Sequence, residues 1–257
     1  MCLILFGYKV KKKYPLILIA NRDEFFHRPT APLHFWENNA GLLAGKDLEQ
    51  GGTWLGVHKN GKFCALTNYR DPFLIKQNAP SRGEILVDYL ESQIPCDAYF
   101  NVLKKNAAAY NGFNLLFGDK NGIYWFSNLK NRVERIQPGI HGLSNRFLDT
   151  PWPKVESGKT ALLKMIHKPI TTESLFSILT DQSVPDDTRL PHTGVGLEWE
   201  RILSPLFIQS DVYGTRSSTI LLMDQDGNID ITERTYNSQN CLVYTDRNFY
   251  INAVTPG

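Results

Sequence analysis

The chain begins Met1-Cys2-Leu3-Ile4-Leu5-Phe6-Gly7-Tyr8, and a second apolar run, residues 15–20, ends in Asn21-Arg22-Asp23-Glu24. A short polar stretch separates the two apolar runs, and this pattern predicts a β-hairpin. In a hairpin whose turn lies near Lys12, residue 2 pairs roughly with residue 22. We therefore expect the polar block, residues 21–24, to lie beside Cys2.

Cys2 has two interpretations. It is either a small apolar residue packed at the start of a strand, or a nucleophile whose α-amine is exposed when Met1 is removed. In the second case one residue carries a thiol, with a reference pKa of about 8.5, and an α-amine, with a reference pKa of about 7.7–8.0. The amine can act as the general base, and Arg22 can favour the thiolate. The polar block also has a plain alternative, which is a turn with a solvated ion pair.

The composition is that of an ordinary globular protein, with 42% hydrophobic and 21% charged residues. We predict one domain over residues 1–257, and the formal net charge of +2 gives no reason to expect a nucleic-acid partner. No apolar stretch approaches the roughly 20 residues of a membrane span, and the N-terminal run lacks the features of a signal peptide. The scattered cysteines form no C-x-x-C pair, which favours a reducing, cytoplasmic compartment.

Strand and helix signals follow one another in blocks along the rest of the chain. Asn60-Gly61 between two apolar runs predicts a second hairpin, residues 53–58 and 63–68. Ser81 and Glu84 have capping-box spacing and begin a predicted helix. Further helices are predicted at 97–110, 150–167 and 172–179, and further strands at 113–117, 123–126, 133–136, 217–223, 229–236 and 242–250. This order predicts a single α+β domain.

Two long segments are predicted to lack extended regular structure. Residues 25–45, which include Pro29 and Pro32, are predicted to form a loop. Residues 182–212 are rich in Pro, Gly and Asp and are predicted to form a functional lid, with a short helix at 197–203.

Several sequence blocks together resemble one protein family. Asn21-Arg22-Asp23-Glu24 behind Met1-Cys2 resembles the signature of the NRDE-motif family, also called the transport and Golgi organisation protein 2 family. The other blocks resemble that family's blocks in the same order: Gly51-Gly52-Thr53-Trp54-Leu55-Gly56-Val57, Leu66-Thr67-Asn68-Tyr69-Arg70, Ser81-Arg82-Gly83-Glu84, Gly142-Leu143-Ser144-Asn145 and Gly214-Thr215-Arg216-Ser217-Ser218-Thr219. The resemblance covers essentially the whole chain.

That family is similar to the N-terminal-nucleophile hydrolases, in particular to the branch of penicillin V acylases and conjugated bile acid hydrolases, which cleave linear amides. The resemblance implies a four-layer αββα sandwich. It also implies that Cys2 is the nucleophile and that Arg22 and Asp23 flank its amine and thiol. The acylase block has the order Arg-Asn-x-Asp, so the acidic role is open between Asp23 and Glu24.

The same resemblance gives roles to three residues further along the chain. Asn68 resembles the side-chain oxyanion donor of the acylases. Asn145 resembles the residue that positions the substrate or the amine, and Arg216 resembles the late arginine that rests against the site. Acyl transfer through a tetrahedral intermediate needs one or two fixed donors, and an asparagine amide can be one of them. Without the resemblance, both asparagines would be ordinary turn or strand-end residues.

We expect four further side chains to contact substrate: Asn21, Glu24, Phe25 and Trp54. The aromatic residues that follow the polar block form either core packing or an apolar wall suited to an acyl chain or a flat macrocycle: Phe25, Phe26, Phe35 and Trp36. The six histidines have no paired ligand spacing, so we expect no metal site.

Two functions remain open at this point. The first is an N-terminal cysteine amidohydrolase that needs no cofactor and acts on a non-peptide linear amide, or a thioester, with an apolar acyl group. The alternative is a non-catalytic binding or trafficking protein that keeps the fold as a pocket for haem or a lipid. The family is associated with haem handling and lipid homeostasis. The chain has no C-x-x-C-H attachment site, so any haem would be held non-covalently.

Overall fold

The computed structural model describes the backbone of residues 2–252 and the side chains of residues 3–252. The predicted removal of Met1 and the predicted reactivity of the Cys2 thiol therefore lie outside the described residues. The strands in this part of the chain are β1 (Cys2–Tyr8), β2 (Leu16–Phe25), β3 (Thr30–Trp36), β4 (Asn39–Asp47), β5 (Leu55–His58), β6 (Phe63–Asn68), β7 (Phe113–Asp119), β8 (Gly122–Ser127), β9 (Arg132–Arg135), β10 (Gly139–Leu143), β11 (Tyr213–Met223), β12 (Ile229–Tyr236) and β13 (Tyr244–Ile251). The α-helices are α1 (Arg82–Glu91), α2 (Cys96–Asn106), α3 (Pro153–Ile166), α4 (Thr172–Leu179) and α5 (Leu197–Ile202), and short 3-10 helices lie at Pro72–Leu74, Ala107–Ala109 and Asp187–Arg189.

The strands form two antiparallel sheets. The first sheet has six strands in the order β10-β1-β2-β11-β12-β13, and the second has seven in the order β3-β4-β5-β6-β7-β8-β9. The second sheet follows chain order. The first sheet instead places the N-terminal hairpin between a strand from the middle of the chain and strands from its end.

Side chains that alternate along β1 enter two different cores. Ile4 and Phe6 pack between the two sheets, whereas Leu3 and Leu5 pack against α3 and α4. Because both faces of this strand are buried, its sequence is a continuous apolar run. Helices α1 and α2 cover the outer face of the second sheet with a third core, which includes Tyr89. The layers therefore follow the predicted αββα order, and the α+β class is confirmed.

The predicted N-terminal hairpin is confirmed, with Cys2 paired to Arg22. The polar block does not end the second strand, because β2 continues to Phe25 and pairs there with β11. The plain alternative of a solvated turn is wrong, since Asn21, Arg22 and Asp23 are all buried.

The predicted loop at residues 25–45 is wrong, because β3 and β4 form a hairpin at the edge of the second sheet. Pro32 lies within β3. An edge strand tolerates proline because one row of its backbone donors has no strand partner. The pairing with β4 changes register between Ala31 and His34, around this proline. The two prolines thus mark an irregular edge strand rather than a loop.

Smaller differences concern the bounds of elements, a helix cap and one further strand. Helix α3 begins at Pro153, with Trp152 as its N-cap, rather than directly after Thr150. The Ser81 side chain makes no capping hydrogen bond at the start of α1, so the predicted capping box does not form. Strand β10, which pairs with β1, was not predicted.

No helix within residues 2–252 has the length and apolar character needed to cross a membrane.

Candidate functional site

The side chains of the polar block divide between two sides of the first sheet. The Asn21 amide donates to the carbonyl oxygens of Leu179 (2.9 Å) and Leu206 (2.8 Å), and its oxygen accepts from the Ser218 hydroxyl (2.6 Å). All three bonds lie on the side of the outer helices. Because successive side chains of a strand point to opposite faces, Arg22 points towards the second sheet.

A cavity of about 310 Å³ lies beside Arg22. Its size is within the range of small-molecule sites, which is roughly 300–1,000 Å³. Five of the predicted site residues line it: Arg22, Asp23, Glu24, Trp54 and Asn68. The rest of the lining comes from Arg28, Asp47, Gln50, Gly52, Thr53, Leu66, residues 79–83 and Asn111. Four predicted site residues do not line it: Asn21, Phe25, Asn145 and Arg216.

Arg22 is the buried cation of this cavity. It is only 6% exposed, and its guanidinium lies 4.2 Å from the centre of the Trp54 ring. The guanidinium has no hydrogen-bond acceptor among the side chains and backbone that the structure describes. None of its side-chain nitrogens is among the fully buried atoms that lack a hydrogen-bond partner, so the charge is accessible to a ligand in the cavity. The backbone register pairs Arg22 with Cys2.

Asp23 is held by contacts from β11. Its Oδ1 accepts a hydrogen bond from the Thr215 hydroxyl (2.7 Å), and its backbone carbonyl accepts one from the Tyr213 hydroxyl (2.8 Å). Burial raises the pKa of the Asp23 carboxyl, while the positive charges of Lys154 and Arg22 act in the opposite direction. Asp23 is therefore a fixed carboxyl that is easier to protonate than an ordinary aspartate.

Asn68 and Asn145 meet, but in different roles. Asn68 ends β6 and lines the cavity. The fully buried Asn145 amide donates to the Asn68 carbonyl oxygen (2.9 Å), and the Arg70 backbone N–H donates to the Asn145 carbonyl (2.8 Å). These bonds connect the end of β6 in the second sheet to the segment after β10 in the first. Asn145 thus positions Asn68, and only Asn68 lines the cavity.

Arg216 fixes the backbone that follows the polar block. It lies at an irregularity in the pairing of β11 with β2, between Thr215 and Ser217. Its Nη1 donates to the carbonyl oxygens of Phe25 (2.8 Å) and Arg28 (3.1 Å). Burial and the charge of Arg22 lower the pKa of the Arg216 guanidinium. Arg216 therefore acts on the end of β2 from outside the cavity lining.

Phe25 lies in an aromatic cluster rather than in the cavity. Its ring packs against Tyr213 (5.1 Å between ring centroids) and lies 6.4 Å from Trp199 of α5. Since Tyr213 also holds Asp23, the cluster braces the end of the polar block.

The sequence prediction did not identify an ion pair in the lining of the cavity. Arg28 Nε donates to Asp47 Oδ2 (2.7 Å). Partial burial acts to raise the pKa of Asp47, but the Arg28 hydrogen bond and the backbone N–H groups of Gln50 and Glu49 outweigh it and lower that pKa. These residues stand outside the matching sequence blocks and carry no motif.

The first turn of α1 also lines the cavity, and this too was not predicted. A Cβ atom on Gly52 would lie 2.4 Å from the carbonyl carbon of Gly83, so the two segments touch through their glycines. This contact brings Ser81 and Arg82 into the cavity wall. Both glycines belong to the sequence blocks quoted for the family resemblance, which was the signal available.

Among the described residues, no three His, Cys, Asp or Glu side chains converge as a metal site would require.

The layer order and the N-terminal hairpin define the class of fold, which is that of the N-terminal-nucleophile hydrolases. The chain superposes on a conjugated bile acid hydrolase from Clostridium perfringens, solved as its C2A mutant, with a TM-score of 0.51. The superposition covers 98% of each chain, and the sequence identity is 10%. At this identity the similarity concerns the fold and does not transfer an activity.

The chain belongs to the Transport and Golgi organisation 2 family, whose family model matches residues 1–238. It is 36% identical over 256 residues to the Transport and Golgi organization protein 2 homolog of Bos taurus and 35% identical to that of Homo sapiens. Each alignment covers 91% of this chain and 92% of the relative. The family resemblance of the sequence blocks is confirmed.

Proposed function

We propose that this protein is an N-terminal cysteine amidohydrolase that acts on a linear, non-peptide amide or a related thioester. The position of Arg22 carries the proposal. The Arg22 backbone pairs with that of Cys2, and its side chain is 6% exposed, lines the cavity and makes no hydrogen bond with the described residues. A nearby cation favours the thiolate form of a cysteine.

In the proposed reaction Met1 has been removed, and the α-amine of Cys2 takes the proton of its thiol. The sulfur attacks the carbonyl carbon of the substrate, and the oxyanion accepts hydrogen bonds from the Asn68 amide and a backbone N–H. The C–N bond then breaks, the leaving amine takes the proton from the α-amine, and a thioester remains. Water hydrolyses the thioester, which releases the acid and restores the thiol.

The lining of the cavity supports a division of the substrate into two halves. Six charged side chains line it: Arg22, Asp23, Glu24, Arg28, Asp47 and Arg82. Charged and hydrogen-bonding groups suit a polar ligand, so we assign the amine half of the substrate to this cavity. The apolar acyl half then lies towards its mouth.

The free thiols of Cys64, Cys96 and Cys241 support a reducing compartment such as the cytoplasm.

The mass of the native N-terminus tests the first step. We expect the intact mass of the purified native protein to lack Met1. A retained Met1 would leave no free α-amine on Cys2, and the proposed base would not exist.

Turnover of an acyl-amide panel tests the chemistry. We expect Cys2→Ala to lower the rate by more than about 10³-fold, since removing a nucleophile abolishes nearly all covalent catalysis. Cys241→Ala is the matched control, because Cys241 is a free, half-buried thiol that does not line the cavity. Equal rates for wild type and Cys2→Ala would reject the amidohydrolase. A saturable absorption shift on haem addition, with no turnover, would favour the binding protein.

A further inference from the structure

A short segment beside the cavity exposes three consecutive apolar side chains, Phe73, Leu74 and Ile75. They are 86%, 48% and 69% exposed, respectively. We call these three residues the apolar tip. Single exposed apolar residues are normal on a protein surface, but a contiguous run of large ones marks an interaction site.

The apolar tip is held in place by hydrogen bonds on both sides. Asp71 caps the 3-10 helix that carries Phe73, by accepting from the Phe73 backbone N–H (3.1 Å). The Lys76 N–H donates to Asn111 Oδ1 (2.7 Å), and the Lys76 ammonium donates to the Ala108 carbonyl oxygen. Hydrogen bonds of Asp71 and Lys76 therefore hold the segment in a conformation that exposes these apolar groups to solvent.

Cationic side chains lie around the base of this loop. Arg146 lies 4.8 Å from the centre of the Tyr69 ring, and the Lys130 ammonium lies 4.2 Å from the centre of the Phe147 ring. The Tyr69 and Phe147 rings are themselves 5.1 Å apart, so the two cations share one aromatic platform. Lys76 adds a third cation directly after the tip. Large apolar side chains with a basic rim match the interface of a bilayer with anionic headgroups.

We propose that the apolar tip docks into the surface of an anionic lipid bilayer, with Lys76, Lys130 and Arg146 at the level of the headgroups. The same loop continues into residues 79–83, which line the cavity. Docking would therefore place the cavity next to the membrane surface, from which a ligand with an apolar chain can enter. Binding of the apolar tip to a bilayer can be measured without turnover.

Vesicle co-sedimentation of the full chain tests the proposal. We expect binding to phosphatidylcholine–phosphatidylserine vesicles, and weaker binding to phosphatidylcholine alone, since cationic side chains are attracted to an anionic surface. The double variant Phe73→Ser with Ile75→Ser should lower the affinity at least about tenfold, because it removes the inserted apolar surface. Lys130→Glu with Arg146→Glu should lower binding to the anionic vesicles only.

The chain offers a matched control. Leu74 in the tip and Leu163 on α3 are each 48% exposed. Leu74→Ser should weaken vesicle binding, and Leu163→Ser should leave it unchanged. As a second measurement, an environment-sensitive dye on Ile75→Cys should shift to the blue on adding anionic vesicles, and the same dye on Leu163→Cys should not.

Any of three results would overturn the proposal. The wild-type protein could stay in the supernatant with both kinds of vesicle, or Leu74→Ser and Leu163→Ser could lower vesicle binding equally. The third is a dye on Ile75→Cys whose emission does not shift on adding anionic vesicles. If the tip variants instead changed only self-association in size-exclusion chromatography, the tip would be a contact between copies of the chain.

Discussion

At the scale of single residues, the site depends on polar groups that the fold buries in order to hold other groups. Asn145 is the clearest case, because it is fully buried and donates to the backbone of Asn68. Its own oxygen accepts from the Ser144 hydroxyl (3.3 Å). The Thr67 hydroxyl in turn donates to the Ser144 carbonyl (2.6 Å). The position of the proposed oxyanion donor is thus set by a chain of hydrogen bonds between the two sheets.

Asn145→Asp tests this connection. The carboxylate replaces the N–H donor with an acceptor that faces the Asn68 carbonyl, so a buried hydrogen bond becomes a repulsion. We expect the free energy of unfolding to fall by about 1–3 kcal/mol, the usual cost of an unsatisfied buried polar group. Thermal unfolding followed by circular dichroism measures it. Asn101→Asp, at an exposed position on α2, is the matched control and should change stability by less than about 0.5 kcal/mol. Equal effects at both positions would contradict the role of Asn145.

At the scale of elements, strand β2 explains why the polar block is at once structural and part of the site. Its first residues are apolar and lie between two cores, whereas Asn21, Arg22 and Asp23 are polar and equally buried. Each of the three meets a different element: the segments around Leu179 and Leu206, then Trp54, then Thr215. One strand thus links the outer helices, the second sheet and β11.

The contact between Gly52 and Gly83 is the second element-level feature of the site. A Cβ atom on Gly83 would lie 2.9 Å from the Thr53 nitrogen and 3.0 Å from the Thr53 carbonyl oxygen. Both are backbone atoms, so they move only if α1 or the β4–β5 connection moves. A Cβ atom at Gly83 would therefore push the two segments apart and widen the cavity at Ser81 and Arg82.

We therefore expect Gly83→Ala to destabilise the protein, by about 1–3 kcal/mol as for other overpacked positions. Helix propensity alone predicts the opposite, since alanine is favoured over glycine in a helix by about 1 kcal/mol. Thr160→Ala, at an exposed position in α3, is the control and should leave stability unchanged or slightly higher. Chemical denaturation compares the two variants. A stability gain for Gly83→Ala would show that the two backbone segments can separate without a cost in free energy, and would contradict the prediction.

The same elements show how far the sequence alone predicts this molecule. The hairpin register between Cys2 and Arg22 follows from the turn position, because strand pairing is local there. The β3–β4 hairpin did not follow, because prolines at a sheet edge resemble prolines in a loop. The contacts of Asn145 with Asn68 and of Gly52 with Gly83 join distant parts of the chain, and no local pattern encodes them. Only the family blocks pointed to those residues.

At the scale of the whole molecule, residues 182–212 contact the start of β11 and are anchored by a buried ion pair. Glu200 of α5 lies 3.3 Å from the Arg70 guanidinium, and both side chains are less than 5% exposed. Glu200 also accepts hydrogen bonds from the Thr193 N–H (2.7 Å) and hydroxyl (2.6 Å). The Arg70 guanidinium lies 4.7 Å from the centre of the Trp152 ring, just before α3. Since Arg70 follows Asn68 by two residues, the segment predicted as a lid is tied to the same strand end that carries the proposed oxyanion donor.

Glu200→Gln tests whether this ion pair holds the segment. Glutamine keeps an acceptor for Thr193 but leaves the Arg70 charge buried without its partner, so we expect a loss of about 3–5 kcal/mol in the free energy of unfolding. Because Glu200 lies in the segment itself, limited proteolysis should cut within residues 182–212 faster than in wild type. The double variant Arg70→Met with Glu200→Gln removes both charges, keeps an acceptor for the Thr193 N–H and hydroxyl, and should recover most of the lost stability. A double-mutant cycle measures the coupling, and additive losses would show that the two residues contribute independently. Glu198→Gln, which neutralises an exposed acid in the same helix, is the control and should leave both readouts unchanged.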